Sequence, residues 1–388
     1  MRSVFCIVLA TTAMAACSAS SDNGDDDDVP ASCGNATPDP GEQCDDGNDN
    51  RFDGCRPDCT AVETIQPPAM TWQYFEIPGT KCLDGSPAGF SVNFNPASTK
   101  LFVYLEGGGA CFNSFCESLF TPGPDQPPAG GIFDRTNEAN PVHDWTWVYV
   151  PYCSGDVYSG EAETMLAGKT RHFYGYSNHT AFLERWVPSF PVDQVLLGGS
   201  SAGGFGAAVN YAQTQRAFGS TPVVLIDDSG PPMSADVFPP CLQTLWRTTW
   251  GLDKTILDEC GDDCSDPDSF IADTLDHMWR EFPDLHGGLF SSTADQTIRA
   301  FAGYGWGGGY NVCEDIPTAV TAAVYESGLD ELRAKAMTGD PSFGTYFITG
   351  SSHTILRSGG FYTAKSGDTT VAQWLESTLA GTTSHVGP

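Results

Sequence analysis

The segment LLGGSSAGGFGAA, from Leu196 to Ala208, constrains the fold more than any other part of the sequence. An apolar run typical of a buried strand ends in glycines and two serines, and a small-residue pattern typical of a helix follows. Glycine weakens helices and strands alike, so a cluster of glycines indicates a sharp turn or a close backbone approach. Within the segment, Gly199 to Gly203 matches G-x-S-x-G, the pattern of a strand-to-helix turn that exposes a nucleophilic serine.

Ser201 is the predicted nucleophile, because a glycine lies two residues before it and another two residues after it. Ser200 has Gly198 and Ala202 in those places and is the weaker alternative. A purely structural turn or a phosphate-binding loop is the competing interpretation. The lysine that a phosphate-binding loop would carry after the glycines is absent here.

Short apolar runs that alternate with helical patterns predict the rest of the fold. Strands are predicted at 72–77, 89–94, 101–106, 145–150, 194–198, 222–227, 288–292 and 344–349. Helices are predicted at 179–188, 202–216, 269–281, 316–337 and 368–380. Two hairpin-like strands followed by alternating strands and helices indicate an α/β fold, a mostly parallel sheet with helices on both faces. Ligands of such sheets bind beyond the carboxyl ends of the strands.

The order of strands also predicts the partners of the nucleophile. If 194–198 is strand five of an α/β-hydrolase-like sheet, an acid is expected after strand seven and a histidine after strand eight. Asp295 follows 288–292 and His353 follows 344–349. His353 would take the proton of Ser201, and Asp295 would orient the imidazole. The weaker candidates for the acid are Asp227, Asp228 and Asp315.

A second glycine-rich segment, YLEGGGACFN, follows the strand at 101–106. Glycines at such a position allow backbone N–H groups to approach a ligand, as in the oxyanion holes of esterases. The predicted donors are the N–H groups of Gly108, Gly109 and Ala202. A plain glycine turn is the alternative. The acyl-transfer chemistry of this set needs no metal and no organic cofactor.

The N-terminus has the features of a secretory signal, with Arg2 before an apolar stretch and small residues up to Cys17. MAAC resembles the bacterial lipoprotein cleavage box, which predicts a lipoprotein-type signal peptide over 1–16 and lipidation of Cys17. Ordinary cleavage near Ala16 with release is the alternative. Residues 17–32 form a polar, acidic linker. The predicted domains are a Cys-rich module at 33–60 and a catalytic domain at 70–388.

Fourteen cysteines indicate an oxidising compartment, outside the cell or at its surface. The module resembles a short Cys-rich repeat of secreted bacterial proteins, and its four cysteines allow three connectivities. Those cysteines are Cys33, Cys44, Cys55 and Cys59. Calcium binding is one interpretation of its oxygen ligands Asp46, Asn48, Asn50 and Asp53. Their spacing does not match an EF-hand loop, so a disulfide knot without metal is favoured.

The charge of the chain restricts its partners. Acidic residues number 49 against 18 basic ones, a formal net charge of −31, which excludes nucleic acid as a natural partner. An anionic polymer would also be repelled unless the mouth of the site is locally basic. The nearest basic candidates by sequence are Arg171, Arg185 and Arg357.

Taken together, LEGGGACFNSFC, VPYCSGDVYSG, GGSSAGGFG, DDSG and SSHT resemble segments of the pectin acetylesterase/Notum family of α/β-hydrolases, from about Trp72 to Leu379. The resemblance implies Ser201 as nucleophile, His353 as base and Asp295 as acid. It also implies the disulfides Cys82–Cys153 and Cys111–Cys116. Cys241, Cys260, Cys264 and Cys313 remain two pairs of open connectivity.

The family resemblance implies a secreted or surface-anchored serine esterase that removes acetyl groups from an extracellular polysaccharide. One departure affects the substrate, because plant and animal relatives carry Trp where Gly109-Ala110 stands here. Two alternatives therefore stay open. One is hydrolysis of a longer acyl chain or another ester by the same residues. The other is a catalytically inactive binding protein that keeps the hydrolase fold.

Overall fold

The computed structural model describes residues 33–113, 116, 127, 129–266, 269–306, 313, 317–339 and 342–388. The predicted signal peptide at 1–16, the linker at 17–32, Cys17 and Asp315 lie outside the described residues. Two compact units are present. Of the described residues, the smaller takes in 33–50 together with Cys55–Ala61, and the larger comprises those of Arg51–Gly54 and Val62–Pro388.

The helices and strands of the described residues lie in the larger unit. In chain order, β1 to β6 are Trp72–Glu76, Gly89–Asn93, Lys100–Leu105, Thr146–Val150, Ala162–Leu166 and Lys169–Phe173. Strands β7 to β13 are Gln194–Ser200, Val223–Asp228, His286–Ser292, Ser342–Ile348, Lys365–Ser366, Thr369–Thr370 and His385–Val386. Helices α1 to α5 are Gly175–Ser189, Ala202–Val209, Tyr211–Phe218, Pro240–Trp250 and Ile256–Cys260. Helices α6 to α10 are Phe270–Glu281, Gln296–Ala302, Ala322–Thr338, Gly360–Thr363 and Val371–Leu379.

Nine of the described strands form one sheet in the order β1-β2-β4-β3-β7-β8-β9-β10-β13. Strands β1 and β2, and β2 and β4, pair antiparallel. From β4 to β13 every neighbouring pair is parallel. The predicted α/β fold with a mostly parallel sheet is therefore confirmed, and the parallel strands bring the ends of β3, β7, β8, β9 and β10 to one edge.

Successive side chains of each strand point to opposite faces of the sheet, so the core has two layers. On β3, Val103 packs into one apolar cluster while Phe102 and Tyr104 pack into the other. The first cluster includes side chains of α1, α3, α6 and α8, and the second includes side chains of α9 and α10. Because both faces of the sheet are covered by helices, the parallel strands are buried almost throughout, as their apolar sequences predict.

Several elements differ from the sequence prediction. The predicted helix 202–216 is interrupted at Asn210, whose side-chain amide donates to the carbonyls of Gly206 and Tyr158 and so ends α2. The antiparallel hairpin β5–β6 and helix α4 were not predicted. Helix α8 begins at Ala322, where the side chain of Thr321 caps it, and residue 316 of the predicted helix lies outside the described residues.

The smaller unit has two disulfides, Cys33–Cys59 and Cys44–Cys55. Two of the residues whose oxygens suggested calcium receive backbone N–H groups: Asp46 accepts from the N–H of Asn48, and Asn48 accepts from that of Asn50. Asp45 accepts from four backbone N–H groups of the unit. These bonds give the carboxylates a structural role in shaping turns.

The larger unit has four disulfides. Cys82–Cys153 and Cys111–Cys116 are the two pairs that the family resemblance implies. The remaining cysteines pair as Cys241–Cys313 and Cys260–Cys264. None of the helices in the described ranges combines the length and hydropathy needed to cross a bilayer.

Candidate active site

Ser201 lies on a sharp turn between β7 and α2. Its backbone has φ 60° and ψ −122°, a conformation that L-residues rarely adopt. The turn is held because the N–H of Ser201 donates to the carbonyl of Asp228 at 2.7 Å. Such strain at a strand-to-helix junction is typical of a serine that projects above the sheet.

The glycines around Ser201 are required by close packing. A Cβ on Gly203 would overlap the carbonyl of Leu105, and a Cβ on Gly199 would overlap the carbonyl of Gly203. A Cβ on Gly107 would overlap the carbonyl of Ser200 and lie 2.8 Å from the Cβ of Ser201. The turn therefore presses directly against the glycine segment that follows β3. Gly107 was not among the predicted site residues, and its role is steric.

His353 and Asp295 form a hydrogen-bonded pair beside the turn. Nδ1 of His353 lies 2.8 Å from Oδ2 of Asp295, which is fully buried. The other oxygen of Asp295 accepts the N–H groups of Thr297 and Ile298 and so caps α7. With Nδ1–H donated to this carboxylate, Nε2 of His353 is left as an acceptor, the tautomer that a general base requires.

One open pocket is lined by several of the predicted residues, including Ser201 and His353. Its lining comprises Tyr104, Gly107, Gly108, Gly109, Ser200, Ser201, Thr297, Phe301, His353, Thr354 and Arg357. The predicted oxyanion donors Gly108 and Gly109 are in this set. Ala202 lines the adjoining pocket, and as the first residue of α2 its N–H has no partner within the helix.

Ser200 and Ser201 differ in their hydrogen bonds. Ser200 is buried, and its hydroxyl accepts from Tyr104 at 2.8 Å and donates to Asp228 at 2.6 Å. Burial raises the pKa of the Asp228 carboxyl, while the Ser200 hydroxyl and the N–H groups of Leu356 and Ile355 oppose that rise. Because its hydroxyl is committed to this network, Ser200 is a poor candidate for the nucleophile.

The weaker acid candidates do not contact the ring of His353 within the described part of the chain. Asp227 is buried and accepts the N–H of Gly230. Asp228 bonds to the backbone of the loop after His353. Asp295 is thus the described carboxylate that is paired with the histidine.

An apolar pocket adjoins Ser201 on the side of Gly109 and Ala110. Its other walls include Phe205, Phe238, Trp246 and Trp250. The two tryptophans stack with ring centroids 5.4 Å apart, and Nε1 of Trp250 donates to the carbonyl of Cys111. Trp246 and Trp250 also line a second apolar space, which extends to Ile256, Leu275 and Met278. This chain has no tryptophan at Gly109-Ala110, but two tryptophans of α4, Trp246 and Trp250, line the same pocket.

Of the three basic candidates, Arg357 alone lines the described catalytic pocket. One of its guanidinium nitrogens donates to Glu106 at 2.9 Å. Arg171 is buried, and Arg185 lies near Glu63.

Comparison with known proteins places these features in a family. A family model described as Pectinacetylesterase matches residues 68–238, a range that includes Ser201 and the glycine segment but ends before Asp295 and His353. The palmitoleoyl-protein carboxylesterase NOTUM of Drosophila melanogaster is 35% identical over 147 residues, 33% of this chain and 22% of the fly protein. This chain thus matches less than a quarter of the length of that relative.

Two further similarities extend the comparison. The inactive palmitoleoyl-protein carboxylesterase notum1b of Danio rerio is 36% identical over 103 residues, 24% of this chain and 73% of the zebrafish protein. The crystal structure of the Drosophila Wnt deacylase Notum superposes with a TM-score of 0.61 at 21% identity, covering 79% of this chain and 93% of that one, a likeness of fold. The chain therefore belongs to the pectinacetylesterase/Notum family.

Proposed function

We propose that this chain is a serine carboxylesterase in which Ser201 is the nucleophile, His353 the general base and Asp295 the acid that orients it. The observation that carries the proposal is the position of Ser201 on a strained turn, in the same pocket as the His353 ring that is bonded to Asp295. Membership of a carboxylesterase family is consistent with it.

The reaction has two steps. Ser201 Oγ attacks the ester carbonyl as its proton passes to Nε2 of His353, and the tetrahedral oxyanion is stabilised by the N–H groups of Gly108, Gly109 and Ala202. The carbon–oxygen bond of the ester then breaks, and the alcohol leaves with the proton from His353. Water, deprotonated by His353, attacks the acyl-enzyme and releases the carboxylic acid and free Ser201.

The acyl group that suits this site is longer than acetyl. An acetyl group has one carbon beyond the carbonyl, whereas the apolar pocket beside Ser201 shares Trp246 and Trp250 as walls with a second apolar space that reaches Met278. Each methylene buried there contributes about 0.8 kcal/mol, which is roughly a fourfold gain in kcat/KM per carbon while the chain fits. The Drosophila relative, a palmitoleoyl-protein carboxylesterase, also takes a long acyl group.

The proposals for the alcohol and for the location rest on the family resemblance and on the N-terminal sequence. The alcohol is proposed to be an extracellular polysaccharide, with the predicted signal peptide directing export and Cys17 carrying a lipid anchor. Six disulfides fit an oxidising compartment. The module at 33–60 is proposed to be a bacterial Cys-rich repeat separate from the catalytic domain.

The direct test measures hydrolysis of p-nitrophenyl acetate and octanoate by the purified chain. We expect octanoate to be the better substrate, and Ser201→Ala to lower kcat/KM for both esters by roughly 10³-fold or more. Ser220→Ala, at an exposed serine before β8, is the matched control and should behave as wild type. Faster hydrolysis of acetate than of octanoate would favour the acetylesterase alternative while leaving the serine mechanism in place.

The inactive-binder alternative makes a separate prediction. A fluorophosphonate should form a covalent adduct at Ser201, detected by mass spectrometry of the labelled peptide. A folded wild-type chain that hydrolyses neither ester and remains unlabelled would favour a binding protein.

A further inference from the structure

Asp228 is outside the proposed catalytic set, yet it bonds to residues close in sequence to both Ser201 and His353. It is the last residue of β8 and is 1% exposed. Its Oδ2 accepts hydrogen bonds from Ser200 Oγ at 2.6 Å and from the N–H groups of Ile355 and Leu356, each at 3.0 Å. Ile355 lies two residues after His353, so this carboxylate bonds to the loop that carries the histidine.

The same residue also holds the nucleophile. The carbonyl of Asp228 accepts the N–H of Ser201, and Ser200 is fixed in turn by the hydroxyl of Tyr104 on β3. Asp228 thus connects the two segments: its main-chain carbonyl bonds to the Ser201 turn, and its side-chain carboxylate bonds to the loop after His353. The distance between nucleophile and base depends on where those two segments are held.

The loop between the two carboxylates is strained. Thr354 has φ 61°, a left-handed conformation that is a genuine outlier for a β-branched residue. On one side Asp295 holds His353, and on the other Asp228 holds Ile355. A strained residue persists only where its surroundings fix it, and here the fixed points are these two buried carboxylates.

We infer that Asp228 is a positioning residue for the proposed ester hydrolysis, holding Thr354 in its left-handed conformation and so placing His353 against Ser201. This inference rests on the proposed function. Asp228 does not touch the ring of His353 among the described bonds, and it moves no proton. Its contribution is geometric, because a base misplaced by about 1 Å costs on the order of 10²-fold in rate.

The test is Asp228→Asn, assayed on p-nitrophenyl octanoate and normalised to sites titrated to completion with a fluorophosphonate. Asparagine keeps the shape, but its N–H₂ takes the place of one carboxylate oxygen, and both oxygens accept the N–H of Ile355, so either orientation of the amide sets a donor against that N–H. We expect kcat per titrated site to fall about 10- to 100-fold, with KM within about threefold of wild type. Asp227→Asn is the matched control, since Asp227 is equally buried but bonds away from the loop.

A purely structural role for Asp228 would lower the yield and the melting temperature while leaving kcat per titrated site within about twofold of the control, and that result would overturn the inference. If Asp228→Asn fails to fold, Asp228→Ala provides the same test. It removes the acceptor of the Ile355 and Leu356 N–H groups without adding a donor, and should lower kcat without raising KM. An unchanged kcat in Asp228→Ala would likewise overturn the inference.

A second substitution, Thr354→Asn, distinguishes misplacement of the His353 loop from a general loss of activity in Asp228→Asn. Asparagine tolerates the left-handed region far better than threonine, so Thr354→Asn should hold the turn without help. We expect Asp228→Asn to cost at least about threefold less in the Thr354→Asn background than in the wild-type background. Equal losses in both backgrounds would contradict the inference. A Ser201→Ala variant that still hydrolysed the ester would instead refute the proposed function.

Discussion

At the scale of single residues, two buried carboxylates flank the His353 loop and act on different parts of it. Asp295 bonds to the imidazole itself and also caps α7 through its other oxygen. Asp228 bonds to the backbone beyond the histidine. Asp295 therefore sets the tautomer and orientation of the ring, and Asp228 affects where the loop lies.

Asp295→Asn tests the first of these roles. An asparagine amide favours the wrong tautomer of His353, so we expect kcat to fall roughly 10³-fold or more. Asparagine is also a good N-cap residue, so the stability of α7 should change little. Asp258→Asn, at an exposed position of α5, is the control. The measurement is kcat on p-nitrophenyl octanoate together with the melting temperature.

An Asp295→Asn variant that kept activity within about tenfold of wild type would mean that the acid lies elsewhere. Asp315, which lies outside the described residues, would then be the next position to substitute.

The sequence predicted those residues of the candidate site that directly follow a strand, because the order of the strands fixes where they lie. Ser201, Asp295 and His353 each follow a predicted strand, and the structure brings all three to one edge of the sheet. The hydrogen bonds that Tyr104 donates to Ser200 and that the N–H of Leu356 donates to Asp228 could not be predicted. They join residues 96 and 128 positions apart, and no local pattern marks such pairs.

At the scale of elements, the strands were more predictable than the helices. The buried strands are apolar runs whose bounds differ from the prediction by only a few residues. Hairpin β5–β6 was missed because its strands are largely polar. Helix α4 was missed because its apolar positions, such as Leu242, Trp246 and Trp250, cover only three turns and follow two prolines. It is this helix that supplies the tryptophan walls of the apolar pocket.

The far end of the apolar space offers a test that leaves the catalytic residues untouched. Met278 on α6 is buried there, and Met278→Trp would fill the space beyond Trp246. We expect the ratio of kcat/KM for laurate to that for butyrate to fall about tenfold or more, since several methylenes lose their burial. Overpacking should cost about 1–3 kcal/mol of stability.

The matched control for this test is Met337→Trp on α8, where the side chain is 65% exposed. It should leave both the chain-length ratio and the stability near wild type. If Met278→Trp lowers hydrolysis of laurate and butyrate equally, the space near Met278 does not hold the acyl chain.

At the scale of the whole molecule, a buried polar contact between α1 and α3, two helices that pack into the same apolar cluster on one face of the sheet, makes the stability of the fold sensitive to pH. His179 lies in α1 and is 1% exposed, with Nε2 bonded to Thr214 of α3 at 2.9 Å. Its Nδ1 has no hydrogen-bond partner among the described residues, and Trp186 packs edge-on against the ring. Burial lowers the pKa of His179 to about 3.

This buried neutral histidine lowers the free energy of unfolding at mildly acid pH. Above about pH 6.5 the ring is neutral in both the folded and the unfolded chain, so it has no pH-dependent effect. Below that pH the unfolded chain takes up a proton that the folded chain does not. The free energy of unfolding then falls by about 1.4 kcal/mol per pH unit until the folded group also titrates, near pH 3.

His179→Gln removes this titration while keeping a side chain able to bond to Thr214. From pH 7 to pH 5, the wild-type chain should lose about 2 kcal/mol more of unfolding free energy than the variant, measured by urea denaturation with the disulfides intact. The variant should be the less stable of the two at pH 7, because the glutamine loses the packing against Trp186. The two curves should therefore converge as the pH falls. Parallel curves over this range would show that His179 takes up a proton equally well in the folded and unfolded chain, and that the ring is accessible to water in solution.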